Sequence, residues 1–304
     1  MADVISTAAV FDDSIIELMD QTFLVEAQDA IVIDNFVDYE RDIGAKSIDL
    51  TKFPKLAKAT TALTDGTDID RRVMSDTKVT LTPEEYGDAV GRTKLASLQT
   101  GGKADLGTAR VVSIQMSETL NALGIMALEA GTNIRLANGA ASEAAIVAAD
   151  LIQEKDLAYV FNRLDRSNIL KFEGDQYIAI AHPDVIADIK EQDGFKDAYK
   201  YADAVALVRN EIGSWKGFRW VSTTGVTINT DAGAGSVDTY HTQFIGRNAL
   251  GKAVSKDPTM TVTGPFDMLG RILNIGWYGT VNYSIIDSDS AWMITSASSL
   301  GTNT

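Results

Sequence analysis

Few side chains in this sequence are equipped for catalysis. His182 and His241 are its 2 histidines, and an imidazole is the usual general base. His182 ends an apolar run before Pro183, and His241 sits in an alternating run. Neither has an acid or nucleophile close by, so both read as structural hydrogen-bonding groups. Two imidazoles cannot make a three-histidine metal site. With 0 cysteines, disulfides, thiolate zinc, iron–sulfur clusters and cysteine nucleophiles are excluded. Asp65-Gly66-Thr67-Asp68-Ile69-Asp70 has the composition of a calcium loop but not the acid spacing of one, and reads as a solvated hairpin tip. Asp287-Ser288-Asp289 has the carboxylate pair of a metal–nucleotide site, yet at a strand end it reads as a polar turn. Gly233-Ala234-Gly235 carries part of a dinucleotide fingerprint without opening a helix after a strand. Trp215, Trp220, Trp277 and Trp292 lack the interleaved cations of a base-stacking surface, so core packing or subunit contact is expected of them. The motifs G-x-S-x-G, G-x-x-x-x-G-K-[ST] and H-E-x-x-H are absent. The expectation is a protein that is not an enzyme and uses no metal or cofactor. A carboxylate- or metal-dependent enzyme built on 65–70 or 287–289 is the catalytic alternative.

The chain around these residues has 304 positions, with 42 acidic against 27 basic side chains and a net charge of −15. That excess of acid argues against nucleic-acid affinity as the main activity. Hydrophobic residues at 45% and charged residues at 23% are ordinary globular usage. No run approaches the roughly 18 uninterrupted apolar residues of a membrane span, so no membrane partner is expected. Residues 1–40 hold ten acids and no Lys or Arg, the first cation being Arg41, which is the reverse of a targeting leader. They read as an acidic, partly amphipathic arm of an intracellular protein, with a helix over 12–33. Residues 41–60 carry five cations against two acids.

Hydrophobic periodicity predicts the remaining elements. Short alternation from 42 to 81 reads as a two-stranded excursion with a polar, Gly-containing tip, and such a ribbon is too small to bury its own apolar face. Val112, Met116, Leu120, Leu123 and Ala127 step by three or four residues and predict a long helix over 108–130, ended by Gly131 and packed on a sheet formed by 258–295. A second helix is predicted from Ser142 to about Leu164, with Leu157, Val160, Phe161 and Leu164 as its stripe. Tyr177–Ala181 reads as a buried strand, with Pro183 opening a helix behind it. Strand patterns follow at 217–228, 240–246, 260–264, 272–286 and 291–297, with a Gly/Ala/Asp loop at 229–237. Mixed helices and strands with β at both ends predict an α+β fold.

Three segments together carry a resemblance. Tyr177-Ile178-Ala179-Ile180-Ala181-His182-Pro183 opens a helix. Asn210-Glu211-Ile212-Gly213 and then Gly217-Phe218-Arg219-Trp220-Val221 with Thr223 follow it. In this order they resemble tailed-phage major capsid proteins, in particular the phage N-four type. Tyr240 to Asn248-Ala249, Asp267-Met268-Leu269-Gly270 and Ile275-Gly276-Trp277 add to the pattern; Met268 stands where that family commonly has Pro.

The resemblance implies the Hong Kong ninety-seven capsid fold. Its parts here would be an N-terminal arm (1–45), an extended β-loop (46–95), a peripheral domain (96–143 and 254–304) with a long spine helix, and an axial α/β domain (144–253). It implies self-assembly as pentamers and hexamers into an icosahedral shell around DNA, with no sequence-specific DNA binding. The partners it implies are further copies of the chain, a scaffolding protein, a portal and decoration proteins, in a virion assembled in the host cytoplasm. A nanocompartment shell of the same fold, of the encapsulin kind, is the structural alternative. The residues expected to meet a neighbouring subunit are the ribbon tip: Asp65, Gly66, Asp68, Asp70, Arg71 and Arg72.

Overall fold

The strongest helical period in the sequence becomes the longest element of the protein. The computed structural model describes residues 32–41, 46–53, 56–63, 65–66, 68–69, 71–100, 103–172, 174–200, 213–264, 268–269 and 271–301. Its first strands are β1 (Asp38–Arg41), β2 (Ile48–Lys52), β3 (Thr77–Leu81), β4 (Glu84–Thr93), β5 (Ile134–Leu136) and β6 (Tyr177–Ala181). Then come β7 (Ser214–Trp215), β8 (Phe218–Ser222), β9 (Ile228–Asn229), β10 (Thr239–Ile245), β11 (Leu250–Thr263), β12 (Ile272–Ile285) and β13 (Ala291–Ser296). The α-helices are α1 (Lys94–Thr100), α2 (Lys103–Glu129), α3 (Glu154–Arg166), α4 (Pro183–Glu191) and α5 (Asp193–Lys200). The strands form a 4-stranded sheet in the order β1-β11-β12-β4, a 7-stranded sheet in the order β5-β13-β10-β6-β8-β7 with β9 beside β10, and the 2-stranded pair β2-β3. The class is α+β, as the pattern predicts.

Helix α2 seats itself between the two large sheets. Val112, Met116, Leu120, Ile125 and Leu128 share one core with Ile178 and Ile180 of β6, Leu250 and Val254 of β11, and Trp277 and Val281 of β12. Its length and mean hydropathy of 1.3 over an 18-residue window would suit a membrane span, but half of that window is buried inside the protein. It is a core helix. The helix starts five residues before the predicted 108. Asp105 in its first turn holds Arg92 of β4 at 2.6 Å, a tertiary contact that no local period encodes. Strand β6 reads as an unbroken apolar run because both of its faces are buried. Ile178 and Ile180 face α2, whereas Tyr177, Ala179 and Ala181 pack with Leu157, Val160 and Leu164 of α3 and with Val185 and Ile189 of α4.

The chain enters this core from the arm. The helix predicted over 12–33 lies outside the described residues except at its end, where Ile33–Phe36 forms a 3-10 turn. Ile33 fills the notch left by Gly124, where an added Cβ would come within 2.7 Å of its Cγ2. The backbone N–H groups of Val32 and Ile33 donate to Asn121 Oδ1 at 3.0 and 3.2 Å. Asp34 accepts from the buried ammonium of Lys252 and, at 2.8 Å, from the Tyr283 hydroxyl.

Three expectations are corrected. Residues 84–93 do not belong to a free ribbon. As β4 they pair with β12 from Glu84↔Val281 to Thr93↔Ile272, and Gln115 of α2 donates to Asp88 at 2.6 Å. Alternation alone cannot distinguish a strand on its own sheet from one in a ribbon. The helix predicted from Ser142 starts only at Glu154. Asp150 accepts the Val147 N–H at 2.9 Å and the Ile146 carbonyl accepts from Ala234 at 2.8 Å, so side-chain and tertiary bonds replace the helical ladder there. Residues 291–296 leave the sheet predicted over 258–295 and pair instead with β10 and β5 in the larger sheet.

A histidine clamps the end of α2 to that larger sheet. His241 of β10 places Nδ1 3.2 Å from Glu129 Oε1 at the helix end and Nε2 3.2 Å from Glu143 Oε1. Burial disfavours the imidazolium, but the hydrogen bonds and charges of Glu129 and Glu143 outweigh it and raise the His241 pKa above the ordinary 6.5. Burial likewise works against the Glu143 carboxylate, and bonds from Thr239 (2.5 Å), Asn229 (2.8 Å) and His241 reverse that, lowering its pKa.

Two predictions follow from this packing. Leu120 is 2% exposed, so Leu120→Asp buries an unpaired charge and should cost more than about 3 kcal/mol. Insoluble or unfolded subunits are expected on expression. For His241, a folded pKa above the unfolded one gives stability that is complete below about pH 6.5 and is lost as pH rises through the folded pKa. Unfolding free energy measured from acid to mildly alkaline pH should therefore fall more steeply in the parent than in Glu129→Gln, with about 1.4 kcal/mol lost per unit of pKa separation.

Candidate functional site

The ribbon has a fixed base and an unsupported outer part. Strands β2 and β3 pair from Ile48↔Leu81 to Lys52↔Thr77. The alternation predicted for them puts Ile48, Leu50 and Leu81 on one face, where they pack with Ala253 of β11, Val79 and Ile286. On the outer face Thr80 Oγ1 donates to Asp49 Oδ1 at 2.6 Å, and Lys78 Nζ stands 3.8 Å from the same carboxylate. The base is thus held by the chain's own sheet, contrary to the expectation that all of 46–95 lacks an internal support. Beyond Lys52 and Thr77 no described residue up to the end of the loop is in a strand.

The tip residues are placed as follows. Asp65 and Gly66 form a turn, with Gly66 at φ 77° in the left-handed region, where glycine carries no Cβ penalty. Asp68 accepts the Ile69 N–H at 2.9 Å. Arg72 Nη1 donates to the Ala57 carbonyl at 2.6 Å and so ties the two limbs of the loop together. Arg71 is exposed, and Asp70 lies outside the described residues. Sequence reasoning looked to this polar tip and overlooked the limbs. Phe53, Leu56, Leu63, Ile69, Val73 and Met74 are all exposed, from 58% for Met74 to 92% for Val73. The signal was available: large apolar residues with neither helical nor strand period, hence with no face to turn inward.

A cleft of about 830 Å³ opens beneath the ribbon base, between β2 and the loop 167–170. Asp38 and Glu40 of β1 and Asp289 line it, together with Asp49 and Lys52 of β2. Lys52 pairs with Asp287 at 2.7 Å. Burial raises the Asp38 carboxyl pKa, and the charge of Arg247 only partly opposes this.

The other chemically equipped residues serve the fold. His182 caps α4, its Nδ1 accepting the Asp184 N–H at 3.3 Å, while Tyr240 donates to Asp184 at 3.0 Å. Asp287 caps its own turn by accepting the Asp289 N–H at 3.2 Å. The Gly233-Ala234-Gly235 loop is pinned by Gly233 N–H to the Val237 carbonyl at 2.8 Å. Trp215, Trp220 and Trp277 are buried in the two cores, and Trp292 stacks edge-on against Tyr159 at 5.9 Å. Among the described residues no three His, Asp or Glu side chains converge as a metal site.

No protein-family model and no curated protein matches this sequence. Solved structures do match its shape. The capsid of Ralstonia phage GP4 superposes with a TM-score of 0.67 at 12% identity, covering 90% of this chain and 93% of that one. The capsid protein of cyanophage Pam1 gives 0.68 at 12% identity, with 88% and 92% covered. A virus-like particle from Pyrococcus furiosus gives 0.54 at 12% identity, with 91% and 98% covered. At such identity the likeness speaks for the fold, and it extends over nearly the whole chain. The long helix between two sheets, the outlying ribbon and the mixed α/β lobe are together the Hong Kong ninety-seven fold of tailed-phage capsid proteins.

Proposed function

We propose that this chain is a major capsid protein that assembles with copies of itself, as pentamers and hexamers, into an icosahedral shell enclosing phage DNA. One observation carries the reading beyond the fold: the loop between β2 and β3 holds six large apolar side chains in solvent. A monomer seldom leaves so dense a set uncovered, and each would contribute about 1.5–3 kcal/mol on full burial. Among the described residues nothing covers them, and under this reading a neighbouring subunit does. The tip residues Asp65, Gly66, Asp68, Asp70, Arg71 and Arg72 form the polar rim of that contact. The role is structural rather than enzymatic, in a virion capsid assembled in the host cytoplasm, with a scaffolding protein, a portal and decoration proteins as further partners. The net charge of −15 suits a container wall that must not adhere to its cargo.

The four-part division takes modified boundaries under this reading. The extended loop is 46–83. The peripheral domain is built on β1, β4, β11, β12 and α2. The axial domain takes in β5 and β13 besides most of 144–253. A nanocompartment shell of the same fold is supported by the Pyrococcus furiosus particle, whose TM-score of 0.54 is below the 0.67 of the Ralstonia phage capsid. The acidic residues 1–40 and the basic 41–60 provide complementary charge that steers neighbours together and is screened by salt.

Removing 62–72 tests the proposal. Few intrachain contacts are lost, so the variant should melt close to the parent as a monomer yet fail to form stable particles by electron microscopy. In free parent subunits the loop 53–76 should be the first site of protease cleavage, and assembly should protect it. A loop-deleted chain that closes into stable particles would show the segment to be dispensable for assembly.

A further inference from the structure

His241 holds two carboxylates at once, and the geometry decides which of them it can let go. Glu129 at the end of α2 meets Nδ1 at 3.2 Å, and Glu143 of the 3-10 turn Glu143–Ala145 meets Nε2 at 3.2 Å. An imidazolium has an N–H for each, whereas a neutral imidazole has one N–H and one lone pair. Deprotonation therefore breaks one of the two bonds and turns a lone pair toward a carboxylate oxygen. The other groups beside His241 are uncharged: Asn229 of β9, and Thr295, its register partner on β13. Among the described residues the charges acting on the ring are those of Glu129 and Glu143.

The two sides are unequal. Among the described residues the Glu129 carboxylate takes no other hydrogen bond. Glu143 also accepts from Thr239 Oγ1 at 2.5 Å and from Asn229 Nδ2 at 2.8 Å. The same Asn229 Nδ2 lies 3.3 Å from the ring Nε2 and has a second N–H to give it. With its proton on Nδ1, a neutral ring keeps Glu129 and accepts from Asn229, so no polar group is orphaned. With its proton on Nε2, Glu129 faces a lone pair, and the Nε2–H confronts the Asn229 amide. The first tautomer is favoured, and the bond it gives up is the one to Glu143.

Glu143 fastens more than its own turn. The turn leads to Ile146, whose carbonyl accepts the Ala234 N–H at 2.8 Å. Ala234 belongs to the loop 230–238, where the Gly233 N–H reaches the Val237 carbonyl at 2.8 Å and the Asp231 N–H the Asp238 carboxylate at 2.9 Å. Asp231 and Ser236 hold φ of 57° and 61° there, left-handed values that persist only where the surroundings enforce them. We propose that loss of the His241 proton releases the turn 142–146 and with it the loop 230–238, while the ring stays bonded to Glu129 and the end of α2 stays in place. The release concerns the folded subunit and needs no neighbouring copy. Because both carboxylates favour the imidazolium, it lies on the alkaline side of the ordinary 6.5.

Hydrogen–deuterium exchange of the parent protein, read by mass spectrometry, tests this. Between about pH 6 and about pH 9, after correction for intrinsic exchange, peptides covering 142–146 and 230–238 should exchange about tenfold faster. The last turn of α2, 125–130, should not follow. Unchanged protection of the turn and loop across that range would overturn the release. Loosening of 125–130 ahead of or together with them would put the release at Glu129 and overturn it too. Glu143→Gln keeps the shape and an acceptor oxygen without the charge, so the pH dependence of both segments should vanish; a folded variant that retains it also counts against the proposal. The chain's 2 histidines give a readout that needs no change at the clamp. In 15N spectra of histidine-labelled protein at alkaline pH, with His182→Asn assigning the signals, His241 should carry its proton on Nδ1. A proton on Nε2 would contradict the tautomer and the released side with it.

Discussion

The whole molecule depends on one apolar seam, the buried side of α2. A helix of 27 residues extends about 40 Å at the usual rise per residue, and it presents Val112, Met116, Leu120, Ile125 and Leu128 to two sheets at once. Among the described residues it is the helix that both sheets share in this core. The four-stranded sheet lies along most of its length. The seven-stranded sheet meets its far end, where His241 holds Glu129 and β6 contributes Ile178 and Ile180. The arm is fitted into the same seam through Ile33 at Gly124. One rigid rod therefore sets the relative position of three parts of the chain that are far apart in sequence.

The ribbon shows the opposite condition. Its base satisfies the alternation rule by laying Ile48, Leu50 and Leu81 on β11. Past Lys52 the apolar residues lose both period and partner. Burial drives folding in proportion to the apolar area removed from water, so the loop gains by finding a surface the monomer lacks. Under the proposed function a rigid body with one exposed projecting limb is suited to assembly: the rod would keep the subunit's shape, and the limb would supply the adhesion. The acidic surface then acts against indiscriminate association.

The long elements are legible in the sequence because their periods are set by burial on one side. The stripe from Val112 to Ala127, the run Tyr177–Ala181 and the strands at 240–246 and 272–286 all lie where periodicity puts them. Periodicity fails where tertiary bonds compete. Asp150 breaks an alanine-rich, helix-like stretch into a 3-10 turn and a second turn by capturing Val147, and β4 alternates like a ribbon strand while pairing with β12, almost two hundred residues later. The His241 clamp is invisible to local reading, since Glu129 and Glu143 are 112 and 98 residues away. Of the candidate site, the polar tip was legible from its Asp and Gly content. The apolar limbs and the cleft were not. A limb's exposure depends on what fails to cover it, and the cleft is lined from five separate stretches of chain.

The central claim is that the folded subunit is incomplete until it meets copies of itself. Electron microscopy of the purified full-length protein tests this most directly. The account predicts closed shells, curved sheets or ring-shaped capsomers built from this chain alone or with a scaffold. A field of small, uniform monomers at concentrations where the loop 53–76 is already protected from protease would contradict it, because the apolar limbs would then be satisfied within a single chain.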